Sequence, residues 1–148
     1  DQDQKDILHW AAILHDVGKI GITENILNKS AMLTDEEYET IKGHPSKGFT
    51  ILQPLGPLVK SLPGILHHHE RYDGNGYPDR LKGKEIPLMA RIIAVADTFD
   101  AISSSRAYRT ARSQLEAIII VEKAAGSQLD PELVEVFKEV FSKEIQGA

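Results

Sequence analysis

Apolar residues recur at three- and four-residue spacing along most of the chain, and strict two-residue alternation is convincing nowhere. Ile7, Ala11, Leu14 and Val17 keep a helical period that Gly18 closes. Thr34 followed by Glu37 has the form of a capping box, and Gly43-His44-Pro45 stops the helix it opens. A further helix is predicted from about Pro57, carrying histidines at its far end. Residues 71–87, rich in Gly and Pro, read as a long loop of the kind that is usually functional or mobile. Pro87 suits the first turn of a helix through MARIIAVADTFDAIS. Ser113 with Glu116 is a second capping box, before a helix that Gly126 ends. Asp130-Pro131 starts a last helix with Leu133, Val136, Phe137, Val140 and Phe141 as its apolar stripe. The expected fold class is all-α.

Composition narrows the function. At 148 residues the chain suits one domain, residues 1–148, large enough to bury a core. A net charge of −5 argues against a nucleic-acid polymer or an anionic membrane as a partner, while leaving room for an anionic ligand held by a few cations. The absence of cysteine excludes disulfides, thiolate metal sites and cysteine nucleophiles, and suits the cytoplasm. No apolar run approaches the ~18 residues of a membrane span. The chain opens DQDQKD without an initiator Met, so a piece of a longer protein is expected.

Chemistry concentrates at four places. HHHERYDGNGYP, residues 67–78, sets His67, His68 and His69 ahead of a turn that has no need of imidazoles. LHDVGK, residues 14–19, ends an apolar helix on His15 and Asp16, and a carboxylate there faces the negative end of the helix dipole unless a cation compensates. Lys19 or a metal would do so. ARIIAVADTFDA, residues 90–101, places Asp97 among Ile93, Val95, Ala96 and Phe99, which again implies a cation, either a metal or a side chain such as Arg91. Asp100, one turn on, suits a supporting role. His44 stands between a terminating Gly and a Pro. Imidazoles and carboxylates without thiolate suit Fe, Mn, Zn or Co better than Ca or Mg. His15, Asp16, His44, His68, His69 and Asp97 exceed one tetrahedral site and suggest two metals with one bridging carboxylate.

In order, spacing and residue type these positions resemble the HD-GYP family, a branch of the HD metal-dependent phosphohydrolases, over roughly residues 7–140. The family pattern appears as His15-Asp16-Val17-Gly18-Lys19, His44, His68-His69, Asp73-Gly74-Asn75-Gly76-Tyr77-Pro78 and Ala96-Asp97-Thr98-Phe99-Asp100-Ala101. The resemblance implies an HD-domain-like helical bundle with a buried metal centre, and hydrolysis of cyclic di-GMP to pGpG and then GMP. It implies His15, Asp16, His44, His68, His69 and Asp97 as metal ligands, with Asp16 bridging and a hydroxide between two metals as nucleophile. Fe or Mn is expected, with Zn, Ni and Co as alternatives. Lys19 would contact a substrate phosphate beside the metals. Arg106 and Arg109 in SRAYR would grip the phosphates, and Tyr77 would line the same pocket. Asp73, Gly76 and Pro78 would shape the loop. His67 matches no ligand and is expected in packing or support.

Ala107 replaces a common Pro, SQLDPE an aromatic, and KSAMLT a Pro-Gly turn, none of them at a ligand position. A third metal in some members needs a Glu and a His upstream of the HD helix, and no such segment is present here, so two metals are expected. The resemblance further implies a cytoplasmic domain of a soluble or membrane-tethered signalling protein. An upstream regulatory domain and a diguanylate cyclase (GGDEF-type) domain docking on the GYP loop are the expected partners. The alternatives are a cyclic di-GMP-sensing or docking module without turnover, and a phosphohydrolase acting on another nucleotide. The full ligand set favours the enzyme.

Overall fold

The helix that carries the first histidine is set by its ends. Asp1 caps α1 (Gln2–Leu14), its side chain accepting from Asp3 N, and the helix closes at Leu14. Val17, expected on the same helix, instead opens a 3-10 turn, Val17–Gly21, that changes the direction of the chain. The structure is a computed structural model and describes residues 1–104 and 113–146, with side chains as far as Lys143. Arg106 and Arg109 lie outside the described residues.

Both expected capping boxes form. Thr34 and Glu37 start α3 (Asp35–Lys42), and Ser113 and Glu116 start α7 (Gln114–Lys123). A short α2 (Glu24–Leu27) precedes them. Gly43 ends α3 as expected, but His44-Pro45 does not leave a loop. Pro needs no hydrogen-bonded N–H in a first turn, and α4 (His44–Leu52) begins on His44 with Pro45 inside that turn. The helix expected from Pro57 is two pieces. A 3-10 turn, Gly56–Ser61, leads into α5 (Leu62–His67), with Pro63 in the new first turn. After the loop, Pro87 serves as the cap of α6 (Leu88–Ser103), one position earlier than expected. The final helix, α8 (Pro131–Gln146), starts at Pro131 as expected, with Asp130 Oδ1 accepting from Glu132 N at 2.9 Å. No strand occurs among the described residues.

Two apolar clusters meet on α6. Ile93 packs with Ala11, Leu52, Leu62 and Ile65. Val95 and Ile102 pack with Ala117, Val121, Leu129 and Val134. One helix therefore joins the N-terminal and C-terminal helices, and it carries Asp97. Arg91 of the same helix is clamped by burial, its guanidinium donating to Asp130 Oδ2 and to the Ile86 carbonyl. That pair takes Arg91 away from Asp97, so the side-chain cation considered for Asp97 is not Arg91.

Close backbone approach fixes the rest. A Cβ on Gly18 would lie 2.0 Å from the His44 carbonyl oxygen, so only glycine lets the turn after His15-Asp16 lie against the start of α4. A Cβ on Gly76 would lie 2.2 Å from Arg71 N, because the GYP loop folds back onto the chain after the histidines.

Candidate metal centre

Each site histidine comes from a helix terminus. His15 caps the end of α1, His44 begins α4 beyond the Gly43 cap of α3, and His68 caps the end of α5. In all three the ring is held from behind. Nδ1–H donates to the carbonyl three residues earlier: Ala12 at 2.6 Å, Ile41 at 2.7 Å and Ile65 at 2.7 Å. A carbonyl only accepts, so Nδ1 carries the proton and Nε2 faces the site.

The Nε2 atoms converge on Asp16. His44 Nε2 lies 3.1 Å and His68 Nε2 3.9 Å from Asp16 Oδ1, whereas His15 Nε2 lies 3.4 Å from Oδ2. Asp97 Oδ1 sits 3.9 Å from His15 Nε2. Ligand atoms of Asp16, His44, His68 and His69 all lie within 4.8 Å of one another. All six residues expected as metal ligands, His15, Asp16, His44, His68, His69 and Asp97, are thus brought together. Lys19 Nζ donates to Asp16 Oδ2 at 2.6 Å, the cation that the acidic helix end called for.

Protonation supports a cation site. Burial, then the imidazole of His69, pushes the pKa of His68 down to about 2, and burial with His44 pushes His69 down to about 3. Both rings are neutral lone-pair donors at neutral pH. Burial opposes ionisation of Asp16, but His15, His44 and Lys19 outweigh it and hold the carboxyl far below its ordinary range. Burial also opposes protonation of His15, yet Asp16, the Ala12 carbonyl and Asp97 raise its pKa. Asp16 Oδ1 and His15 Nε2 are buried without a hydrogen-bond partner. Neutral imidazoles, an ionised carboxylate and orphaned buried ligand atoms fit a divalent metal of the Fe, Mn or Zn type. The two oxygens of Asp16 face different histidines, as a bridging carboxylate would.

The GYP loop closes one side. Tyr77 N donates to the His69 carbonyl at 3.3 Å, and the Tyr77 ring stacks on His69 with centroids 5.1 Å apart. Burial, then the Tyr38 phenol, raises the Tyr77 pKa. Arg71 holds Asp73 by two hydrogen bonds of 2.6 and 3.1 Å, which with Asn75 N lowers the Asp73 carboxyl to about 2. Pro78 follows a cis bond from Tyr77. A cavity of about 230 Å³ opens beside His68, His69 and Asp97, lined also by Arg71, Thr98 and Gln128. Asp100 is exposed and accepts from Ser104 Oγ at 2.8 Å, securing the end of α6. His67 points away from the centre, with Nδ1 3.8 Å from both Glu70 and Asp79.

Sequence reading missed Glu70. It is buried, its Oε1 accepts from Asp79 N at 2.7 Å, and it anchors the loop that Gly76 folds back. The signal was its place directly behind three histidines. Tyr38 and Lys42 were missed as well. Lys42 Nζ lies 5.6 Å from the centroids of both the Tyr38 and the Tyr77 ring.

Comparison with known proteins identifies the family. The family model described as "HD domain" matches residues 1–133. The chain is 46% identical over 132 residues to a cyclic di-GMP phosphodiesterase of Thermotoga maritima, covering 88% of this chain and 36% of that one. It is 41% identical over 145 residues to a cyclic di-GMP phosphodiesterase of Vibrio cholerae, covering 93% and 30%. Its fold matches the crystal structure of a cyclic GMP-AMP-specific phosphodiesterase from V. cholerae with a TM-score of 0.73 at 20% identity, covering 96% of this chain and 39% of that one. The chain therefore belongs to the HD domain family and carries the HD-GYP signature. It spans about a third of the length of the curated relatives it matches. Among the described residues no helix is long and apolar enough to cross a membrane.

Proposed function

We propose that residues 1–148 act as one catalytic domain that hydrolyses cyclic di-GMP to linear pGpG, with slower cleavage to GMP. The observation that carries this reading is the convergence of imidazole Nε2 atoms on Asp16, whose oxygens face His15 on one side and His44 and His68 on the other. Relatives named as cyclic di-GMP phosphodiesterases supply the substrate class.

When bound, two divalent ions, Fe or Mn, held by His15, Asp16, His44, His68, His69 and Asp97, supply Lewis acidity toward a phosphoryl group and lower the pKa of an attacking water. Asp16 joins the two halves of the ligand set, and the backbone carbonyls behind His15, His44 and His68 keep those rings in one tautomer. Lys19, whose ammonium group donates to Asp16 Oδ2, would meet a phosphate oxygen. Tyr77 walls the site against His69. Arg106 and Arg109 complete the proposal by gripping the phosphates through bidentate contacts. The proposal extends to a cytoplasmic setting, an upstream regulatory domain, and a diguanylate cyclase domain docking on the GYP loop.

The test is anaerobic. Protein loaded with Fe(II) or Mn(II) is given cyclic di-GMP and the products are resolved over time, with Asp16→Ala as control. Linear product from the intact protein, lost in the variant along with metal, is expected. Two bound metals with no product would sink this substrate assignment, and no metal with no product would favour a regulatory module.

A further inference from the structure

Next to the metal centre, α3 presents a polar and aromatic face that the metal ligands do not use. Tyr38 and Lys42 lie one turn apart, so their side chains share a face of the helix. The ammonium group of Lys42 is held at 2.6 Å by Glu39, on the same helix, and lies 5.6 Å from the ring centroids of Tyr38 and of Tyr77. Tyr77 in turn stacks on His69, whose ligand atom belongs to the metal cluster. Steps of 5.1, 5.6 and 5.6 Å therefore lead from a metal ligand to a tyrosine that is half exposed.

A half-exposed ring with a cation held over it is a poor contributor to a core but can serve as a stacking surface. Aromatic rings stack on any nucleobase, and a cation held over them strengthens the contact with the electron-rich purine face. In a dinucleotide the base is joined to the reacting phosphate through a ribose, so an aromatic ring beside the metal centre is a natural place for that base. Glu39 fixes the Lys42 ammonium group in its position over the rings.

We infer that Tyr38, with Lys42 and Tyr77, forms a platform on which a purine base of the substrate stacks, making Tyr38 and Lys42 specificity-determining residues. This rests on the cyclic dinucleotide reading of the same site. A stacked base is worth a fixed factor in substrate binding and nothing toward a phosphodiester that has no purine.

The test compares two substrates on metal-loaded protein: cyclic di-GMP, and bis(p-nitrophenyl) phosphate, which offers a phosphodiester without a purine. In Tyr38→Ala the ratio of kcat/KM for cyclic di-GMP to that for the small diester should fall roughly 5- to 150-fold, mainly through KM. Tyr38→Phe, which keeps the ring, should recover most of that ratio, and Lys42→Met should lower it less than Tyr38→Ala. A parallel loss on both substrates, or equal loss in the Phe and Ala variants, would overturn the platform. Wild-type protein that cleaves only the small diester would overturn the cyclic dinucleotide reading and the platform with it, whereas normal cyclic di-GMP turnover with an unmoved ratio would overturn the platform alone.

Discussion

His44 Nε2 and His68 Nε2 stand 3.2 Å apart, each on a ring whose Nδ1–H is committed to a backbone carbonyl. Two lone pairs aimed at one another need a cation between or beside them, and Asp16 Oδ1 waits 3.1 Å from the first and 3.9 Å from the second. The helix ends impose this facing arrangement, because α4 begins on His44 and α5 ends beside His68.

Metal should therefore stabilise the fold. A ligand present at a hundred times its Kd adds about 2.7 kcal/mol. For a chain of this length that is a rise in Tm of roughly 5–10 °C. Scanning calorimetry with and without Mn(II) checks this, and His44→Ala should lose most of the rise. An equal rise in that variant would mean the metal binds elsewhere.

The metal-free protein should weaken in mild acid. His68 and His69 have folded pKa values of about 2 and about 3 against an ordinary 6.5. As pH falls below 6.5 the unfolded chain takes up these protons and the folded chain does not. Stability is complete above that point and declines toward pH 3, with a slope of about 1.4 kcal/mol per pH unit for each histidine. His15, with a raised pKa, is protonated in both states below about pH 6 and adds no slope there. Asp16, strongly depressed, loses its contribution only below its ordinary 3.8. Urea unfolding at pH 6.0 and 4.5 isolates the histidines. His68→Gln should remove about one histidine's share, and an unchanged slope would contradict the buried, neutral ring.

Gly18→Ala tests why the HD pair is followed by glycine. The new Cβ would meet a backbone oxygen at 2.0 Å and a backbone nitrogen at 2.6 Å, neither of which can swing aside as a side chain would. Forcing the 3-10 turn away from α4 should cost about 1–3 kcal/mol or more and separate Asp16 from His44. Urea titration should show that loss, with reduced metal content by mass spectrometry. Full metal occupancy at wild-type stability would show that the approach is not needed.

Capping residues and apolar periodicity made most of the helices legible, since those signals act within a few residues of one another. Thr34 with Glu37 and Ser113 with Glu116 needed only themselves. The splits at Val17 and at Pro63 were less legible, because each depends on what the new turn packs against: α4 for the first and α1 for the second, where Ser61 Oγ donates to the Ile7 carbonyl at 3.0 Å. The candidate ligands stood out in the sequence because imidazole and carboxylate in such places have few structural uses. Arg91 misled, since its partner Asp130 lies 39 residues away. Tyr38 and Lys42 share one helix face, but the contact that ties them to the site, Lys42 over the Tyr77 ring, joins residues far apart in the chain and leaves no local pattern.

Glu70 makes the sharpest test of how the GYP loop is held. Its side chain is fully buried, Oε1 accepts from Asp79 N at 2.7 Å, and Oε2 has no hydrogen-bond partner. A buried acceptor with one bond holds the end of the loop to the strand of chain that follows His69, and Tyr77 lies between those two fixed points. Glu70→Ala leaves the Asp79 amide unsatisfied and should cost about 1–3 kcal/mol. Glu70→Gln keeps an amide oxygen for Asp79 N and should restore much of that stability. The loop should respond more than the core. Hydrogen exchange at Tyr77 N, protected through its bond to the His69 carbonyl, should quicken in the Ala variant and return toward wild type in Gln, while amides of α6 stay slow. Uniform quickening across α6 and the loop would show that Glu70 serves global stability, and no change at Tyr77 would show that the loop holds itself.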